Sequence, residues 1–569
     1  MNRTIKLLFA TISLSVSVHA QNEVEQPPLR PMELLDERPP NVILLVVDDM
    51  GYGDLACEGN KWIDTPNFDK LASESLRWKN FYVCPVGSPT RASTFTGRYH
   101  IRTKVVDTSL GRSIIANDEV TLAEALSGAG FKTGIFGKWQ LGDNFPSRPS
   151  DQGFETSLVH RGGGLGQASD PIENQGRYTD PILFHNNNEV LTTGYCTDVF
   201  FGAAKKFISL SQKSDQPFFA AITVNVPHGP FHDVPNTLLD KYKKMDLSDW
   251  GPETDKLSHI AAMIENLDQN LGQLQEFLDD QELSDNTMFV YINDNGPNTL
   301  RYNKNLRGKK ADIYEGGIRS PLWIKWPTKI KQSREVIDNV AAHIDIMPTI
   351  LDACDLGRPE AFEFDGRSLL PQIEKENEVL AERPLVIQWH RGATPVKHHH
   401  FMIRKGKWKL LNASNPQFAR LESRDYELYD LDNDPSETTN VIKQYGDKSI
   451  ELLQLYSTWF NDVNDTRIRD RGTPYILVDR SKENPLVLTW QNRISKNWDY
   501  NEEGFWKTHF EHSGRCDIRF ELPLDFNRNL DGWNAKLTLG REIHTQIVEH
   551  TAQHLTFTGI NFKKGKHLL

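Results

Sequence analysis

Residues Asn41 to Asp49 read N-V-I-L-L-V-V-D-D. A continuous apolar run, rather than an alternating one, predicts a strand buried on both faces, as in a parallel sheet covered by helices. Two carboxylates stand at its carboxyl end, where ligand sites form in open α/β sheets. Adjacent carboxylates repel unless a proton or a cation intervenes. A hard divalent cation is one reason for such a pair, and a capping Asp followed by a solvated one is the other; this segment alone leaves both open.

Outward from this strand the pattern repeats. Thr133 to Phe136, Phe218 to Val224 and Thr287 to Ile292 are further apolar strands. Thr65-Pro66 supplies a capping residue and a first-turn proline, and Thr121 to Glu124 is a capping box ahead of Leu122, Ala125, Leu126 and Ala129. Leu257, Ile260, Met263, Ile264, Leu267, Leu271, Leu274 and Leu278 form a helical stripe that should pack on the sheet. Val159 to Gly166 is expected to be a flexible loop able to line a pocket.

The chain has 569 residues, 38% hydrophobic and 25% charged, enough for two or three domains with a sizeable core. Residues 1–20 carry Arg3 and Lys6, an apolar run from Leu7 to Val18 and the exit Val18-His19-Ala20, the form of a secretory signal cleaved near Ala20. That run is too short for a stable membrane anchor, so no membrane insertion is expected, and the product would be secreted or periplasmic. Residues 21–40 are a polar, Pro-rich tether. Loss of the signal leaves 63 basic against 77 acidic residues, a formal charge of −14, which argues against nucleic acid as a general partner. The five cysteines lack a framework of close spacings or zinc-ligand spacing, and at most one or two are expected to be paired.

Val83 to Arg102, V-C-P-V-G-S-P-T-R-A-S-T-F-T-G-R-Y-H-I-R, resembles the signature of the type I sulfatases, formylglycine-dependent members of the alkaline phosphatase superfamily. Further matches follow in order: Gly137-Lys138-Trp139-Gln140-Leu141-Gly142, Asn225-Val226-Pro227-His228-Gly229-Pro230, Asn293-Asp294-Asn295-Gly296, Leu306-Arg307-Gly308-Lys309-Lys310, Tyr314-Glu315-Gly316-Gly317 and the segment from His343 to Thr349. The resemblance covers roughly Asn41 to Phe460. It implies an α/β fold with a mixed, mostly parallel sheet flanked by helices over 41–370, and a smaller C-terminal domain with antiparallel sheet over 371–480. Short strands such as Trp408 to Leu411 and Glu427 to Leu431 suit the second. Residues 481–569, rich in Trp, Phe and alternating strands, lie beyond it as a β-rich extension, an accessory module or packing for the domain edge, with packing favoured.

By resemblance, Asp48, Asp49, Asp294 and Asn295 hold one calcium ion, and an all-oxygen set favours calcium or magnesium over zinc. Lys138 and Lys310 hold the sulfate, Arg91 steadies the formylglycine and His228 protonates the leaving oxygen. His390 and Arg391 are candidates to contact the sugar, and His398-His399-His400 is read as a loop near the pocket mouth. Two positions depart from the family. Gly87 stands where a Cys or Ser is oxidised to formylglycine, and Gln140 replaces the family's His. Neither Cys84 nor Ser88 has the one-residue gap before proline that would replace Gly87. Two functions follow: a degenerate sulfatase that recognises sulfated carbohydrate with impaired hydrolysis, and an active sulfuric ester hydrolase of glycan degradation.

Overall fold

The computed structural model describes residues 38–231, 233–330, 336–357, 363–376, 378–417, 420, 424–467, 472–495, 503–521, 534–539, 542–547 and 554–569, together with the backbone of 11–17. A ten-stranded sheet organises the first part of the chain. Its strands are β1 (Asn41–Val47), β2 (Leu76–Tyr82), β3 (Lys132–Lys138), β4 (Thr156–His160), β5 (Ile182–His185), β6 (Asn188–Leu191), β7 (Phe218–Thr223), β8 (Thr287–Asn293), β9 (Arg319–Lys325) and β10 (Ala341–Ala342), in the spatial order β10-β2-β9-β8-β1-β7-β3-β4-β5-β6. The centre, β8-β1-β7-β3-β4, is parallel, while β9 runs antiparallel to β2 and β8.

The unbroken apolar run of β1 is used on both faces. Ile43, Leu45 and Val47 join a core with α1 (Pro66–Ser73), α4 (Cys196–Lys213) and α5 (Thr254–Asp280). Val42, Leu44 and Val46 join the opposite core, with α2 (Gly87–Thr96) and α3 (Leu122–Gly128). Every residue of β1 is buried, as a strand covered on both sides requires. The helical stripe read from Leu257 to Leu278 lies in α5, and all eight of its residues are buried.

Gly87, within the signature stretch, is the first residue of α2, which ends at Gly97 in the left-handed region (φ 68°). Two local expectations are corrected. Thr65 does not cap α1; its hydroxyl accepts from the Ala56 N–H at 2.9 Å instead. The Gly-rich loop is packed rather than free, since residues 159–165 are buried and the Asp170 carboxylate accepts from the backbone N–H of Arg161 and of Gly166. The capping box at Thr121 and Glu124 forms as read.

A four-stranded antiparallel sheet of β11 (Leu385–Gln388), β12 (Phe401–Lys405), β13 (Trp408–Asn412) and β14 (Glu427–Asp430) follows, covered by α6 (Gly446–Asp465). Residues beyond 475 build small sheets around a core of their own, including Leu486, Leu488, Phe510, Ile518, Phe557 and Phe562. The backbone of Thr11–Ser17, inside the segment read as a signal, pairs with Leu486–Leu488 and Gly514–Glu521. All five cysteines are free thiols.

Candidate functional site

The parallel centre of the sheet delivers the site. β1, β3, β7 and β8 end side by side, so Asp48 and Asp49, Lys138, the Asn225–His228 turn, and Asp294 and Asn295 meet at one edge. Lys138 donates to Asp48 Oδ2 at 2.7 Å, and the Lys310 ammonium lies 2.5 Å from Asp49 Oδ1. Asn295 Nδ2 donates to the same Asp49 oxygen at 2.8 Å. Arg91, reaching up from α2, donates to Asp294 Oδ2 at 3.1 Å and to the Lys138 carbonyl at 3.1 Å. His228 Nε2 lies 3.8 Å from Asp49 Oδ2, while Nδ1 sits 2.5 Å from the Gly229 carbonyl. A carbonyl accepts only, so Nδ1 carries the proton and Nε2 is the bare nitrogen of the neutral ring.

Burial sets the electrostatics. It opposes the charged form of Asp48, but the Lys138 ammonium, with His228, Lys310 and Arg91, outweighs it and holds that carboxyl well below its usual range. Asp49 is lowered in the same way, against burial, mainly by Lys310. Asp294 goes the other way: burial and the neighbouring Asp48 push it up to about 7. Burial also lowers His228, aided by Lys310, and lowers Lys138. Asp49 (φ 62°) and Gln140 (φ 57°) hold left-handed backbone. Such conformations cost a non-glycine residue about 1–2 kcal/mol and concentrate at functional sites.

Three buried oxygens, Asp48 Oδ1, Asp49 Oδ2 and Asn295 Oδ1, have no hydrogen-bond partner. Orphaned acceptors converging in one buried place fit a hard cation, which takes oxygen ligands. Asp48, Asp49 and His228 each offer a ligand atom within 4.8 Å of the others. Asp294 is engaged differently, through Arg91 on Oδ2 and the Asp49 N–H on Oδ1 at 3.2 Å.

At Gly87 and Gln140 the site has neither a nucleophilic nor an ionisable side chain. Gly87 opens α2, and a Cβ added there would fall 2.6 Å from Asp294 Oδ2 and 3.5 Å from Gln140 Oε1. Its φ is not in the left-handed region, so the backbone does not demand glycine; the neighbouring carboxylate occupies the space. Gln140 donates from Nε2 to the Thr108 carbonyl at 3.2 Å, and its Oε1 has no partner.

Arg391 and His390 are engaged by residues of their own. Arg391 binds the Asp107 carboxylate at 3.3 Å, beside Trp389 and Arg112 on the same group. His390 is buried, accepts from the Val396 N–H at 3.0 Å and lies with its ring 4.8 Å from that of His399, tilted by 55°. His399 and His400 are also buried rather than presented at a mouth, and His400 Nε2 faces the Ala311 carbonyl at 2.9 Å, next to Lys310.

Sequence reasoning passed over two contributors. His160, at the end of β4 in register with Lys138, is buried beside the site; its only sequence signal was its place before a glycine run. Gln491, from the C-terminal extension, donates at 2.6 Å to the same Thr108 carbonyl that holds Gln140. Nothing local in the sequence joins residues 383 positions apart.

The family model described as Sulfatase matches residues 40–356, and that described as N-sulphoglucosamine sulphohydrolase, C-terminal, matches 308–457. Human arylsulfatase A is 29% identical over 459 residues, covering 73% of this chain and 86% of its own. The N-acetylglucosamine-6-O-sulfatase of Bacteroides thetaiotaomicron is 24% identical over 568 residues, covering 84% of this chain and 94% of its own. Among solved structures, Ps i-CgsB in complex with k-i-k-neocarrahexaose is similar with a TM-score of 0.65 at 25% identity, over 77% of this chain and 95% of that one.

Proposed function

Because this chain belongs to the sulfatase family, a family of sulfuric ester hydrolases, we propose that it binds a sulfated polysaccharide or oligosaccharide with its hydrolysis impaired. The observation that carries the reading is the gathering of Lys138, Lys310 and Arg91 with the Asp48, Asp49 and Asp294 carboxylates, beside a Gly87 without a side chain whose space the Asp294 carboxylate borders at 2.6 Å. The names of the relatives, an N-acetylglucosamine-6-O-sulfatase and an N-acetylgalactosamine-6-O-sulfatase among them, support a sulfated sugar as the ligand.

Asp48, Asp49, Asp294 and Asn295 would hold a calcium ion. When bound, it supplies positive charge to the oxygens of the ester. Lys138 and Lys310 add charge from β3 and from the loop after β8, so the anion is held between ammonium groups rather than in water. Arg91 orients Asp294. His228 gives a proton to a leaving oxygen only as the imidazolium, since its neutral ring is protonated on Nδ1. What is missing is attack. No nucleophile extends from Gly87, and Gln140 has no ionisable proton near neutral pH to manage one. Loss of a nucleophile costs an enzyme on the order of 10⁶ in turnover.

The reading includes export: cleavage near Ala20 gives a secreted or periplasmic protein, and it would remove the strand Thr11–Ser17 from its sheet. Among the described residues, no helix is long and apolar enough to cross a membrane. The mass of the mature N-terminus checks the cleavage. The central experiment measures, with calcium present, both binding of sulfated oligosaccharides and release of sulfate from them. Binding without release supports the reading; release at ordinary sulfatase rates by the unaltered chain overturns it in favour of an active hydrolase.

A further inference from the structure

His160 ends β4 opposite Lys138 at the end of β3, and neighbouring strands run ~4.8 Å apart. Strand alternation puts both side chains on the face covered by α4: Phe136 and Leu158, two residues earlier in each strand, belong to that core, and the His160 ring lies 6.4 Å from that of Phe200. The ring is 0% exposed and neither nitrogen has a hydrogen-bond partner. A neutral imidazole carries one N–H and one acceptor, and a buried polar group left unmade costs about 1–3 kcal/mol. A phenylalanine would fill the same place beside Phe200 without that cost. The charges acting on His160 are those of the site itself, Lys138, Asp48, Arg91 and His228. Burial does not set it apart from them, because Lys138 is 2%, Asp48 0% and Arg91 1% exposed.

We infer that His160 is a further ligand-contacting residue of this site, donating a ring N–H to an oxygen of the anionic group held by Lys138 and Lys310. The inference rests on the sulfate-ester reading above. An ammonium is a compact point charge with rotatable donors. A ring N–H wedged against Phe200 has one direction, so it selects one orientation of a tetrahedral anion where the lysines alone select only its position.

The test titrates the full chain, with histidines ¹⁵N-labelled and calcium present, with inorganic sulfate and with N-acetylglucosamine-6-sulfate. The imidazole nitrogens are followed by NMR, and affinities are measured by calorimetry for the unaltered chain, His160→Phe, His160→Gln and Lys310→Ala. The His160 nitrogens shift on binding. His160→Phe raises Kd at least ~10-fold while its unfolding midpoint stays level or rises, and His160→Gln, which keeps an N–H, recovers part of the affinity. Equal affinity in His160→Phe with unmoved His160 nitrogens overturns the inference and leaves the wider reading standing, provided Lys310→Ala still loses binding. If neither probe binds the unaltered chain, both fall. Should His160→Phe fail to fold, the nitrogen shifts and His160→Gln decide.

Discussion

The two sides of the site differ in kind. At the ends of β1, β3 and β8, each charged group has a counterpart: Lys138 on Asp48, Lys310 on Asp49, Arg91 on Asp294. At the start of α2 there is a glycine, and beside it an amide whose oxygen has no partner. In the proposed reading the first side would hold an anion and the second would have to attack it. On that reading a fold can keep recognition while losing reaction, because the charged groups are spread over three strand ends and the elements beside them, whereas attack depends on one atom group. Removal of that group leaves strand packing and register untouched.

The widest expected effect of crossing that divide is on turnover. Gly87→Cys matured by a formylglycine-generating enzyme, combined with Gln140→His, should release sulfate from an aryl sulfate at least ~10³-fold faster than the unaltered chain. The unaltered chain should not exceed its own Lys310→Ala variant. If it does, the attacking side is not empty and the contrast is broken. Next, Lys310→Ala should weaken binding of a sulfated oligosaccharide by about 10²-fold by calorimetry, because it leaves Asp49 buried without its cation and removes charge from the anion. An unchanged Kd would move recognition away from these strand ends.

Smaller effects sharpen the same boundary. Gly87→Ala places a methyl against Asp294 Oδ2, which Arg91 holds. A cost of about 1–3 kcal/mol in denaturant unfolding is expected; a neutral result would mean that the carboxylate turns aside freely and that the space is open. The smallest effect concerns the Gly-rich loop. Burial, partly offset by the Arg161 and Gly166 N–H groups, pushes Asp170 up to about 7. A carboxyl that ionises later in the fold than in the unfolded chain contributes stability below pH ~4, and that contribution is lost as pH rises to about 7. Asp170→Asn should therefore flatten the fall in melting temperature over that window by on the order of 1–2 °C. An identical pH profile in the variant would remove Asp170 from the loop's titration.

The sheet was legible in the sequence because a strand buried on both faces must be apolar throughout, as β1 is, and a helix on that sheet must repeat at three- and four-residue steps, as α5 does. The polar groups at strand ends were legible because each follows an apolar run directly. The helical start at Gly87 was not, since Gly-Ser-Pro has turn composition, and Thr65 carried a cap signal that its hydroxyl spends elsewhere. His160 and Gln491 were invisible for another reason. Their place depends on which strands lie side by side and on a segment folding back across the whole chain, and neither leaves a local pattern. His390 is buried against His399 and accepts from the Val396 N–H, a placement that its position beside Arg391 does not signal.

The short loop from Asp107 to Arg112 takes hydrogen bonds or ion pairs from three regions of the chain: Gln140 from the large domain, Trp389 and Arg391 from the antiparallel subdomain, and Gln491 from the extension, whose carbonyl in turn receives the Gly111 N–H. A chain emerging from its amino end therefore carries every lysine and carboxylate of the pocket long before the wall behind Gln140 can close. Without the residues from Gln491 onward, the Thr108 carbonyl would lose one of its two donors and the Gly111 N–H its acceptor. Exchanging the tail for that of a relative would alter the pocket from behind, without touching any residue that faces the ligand.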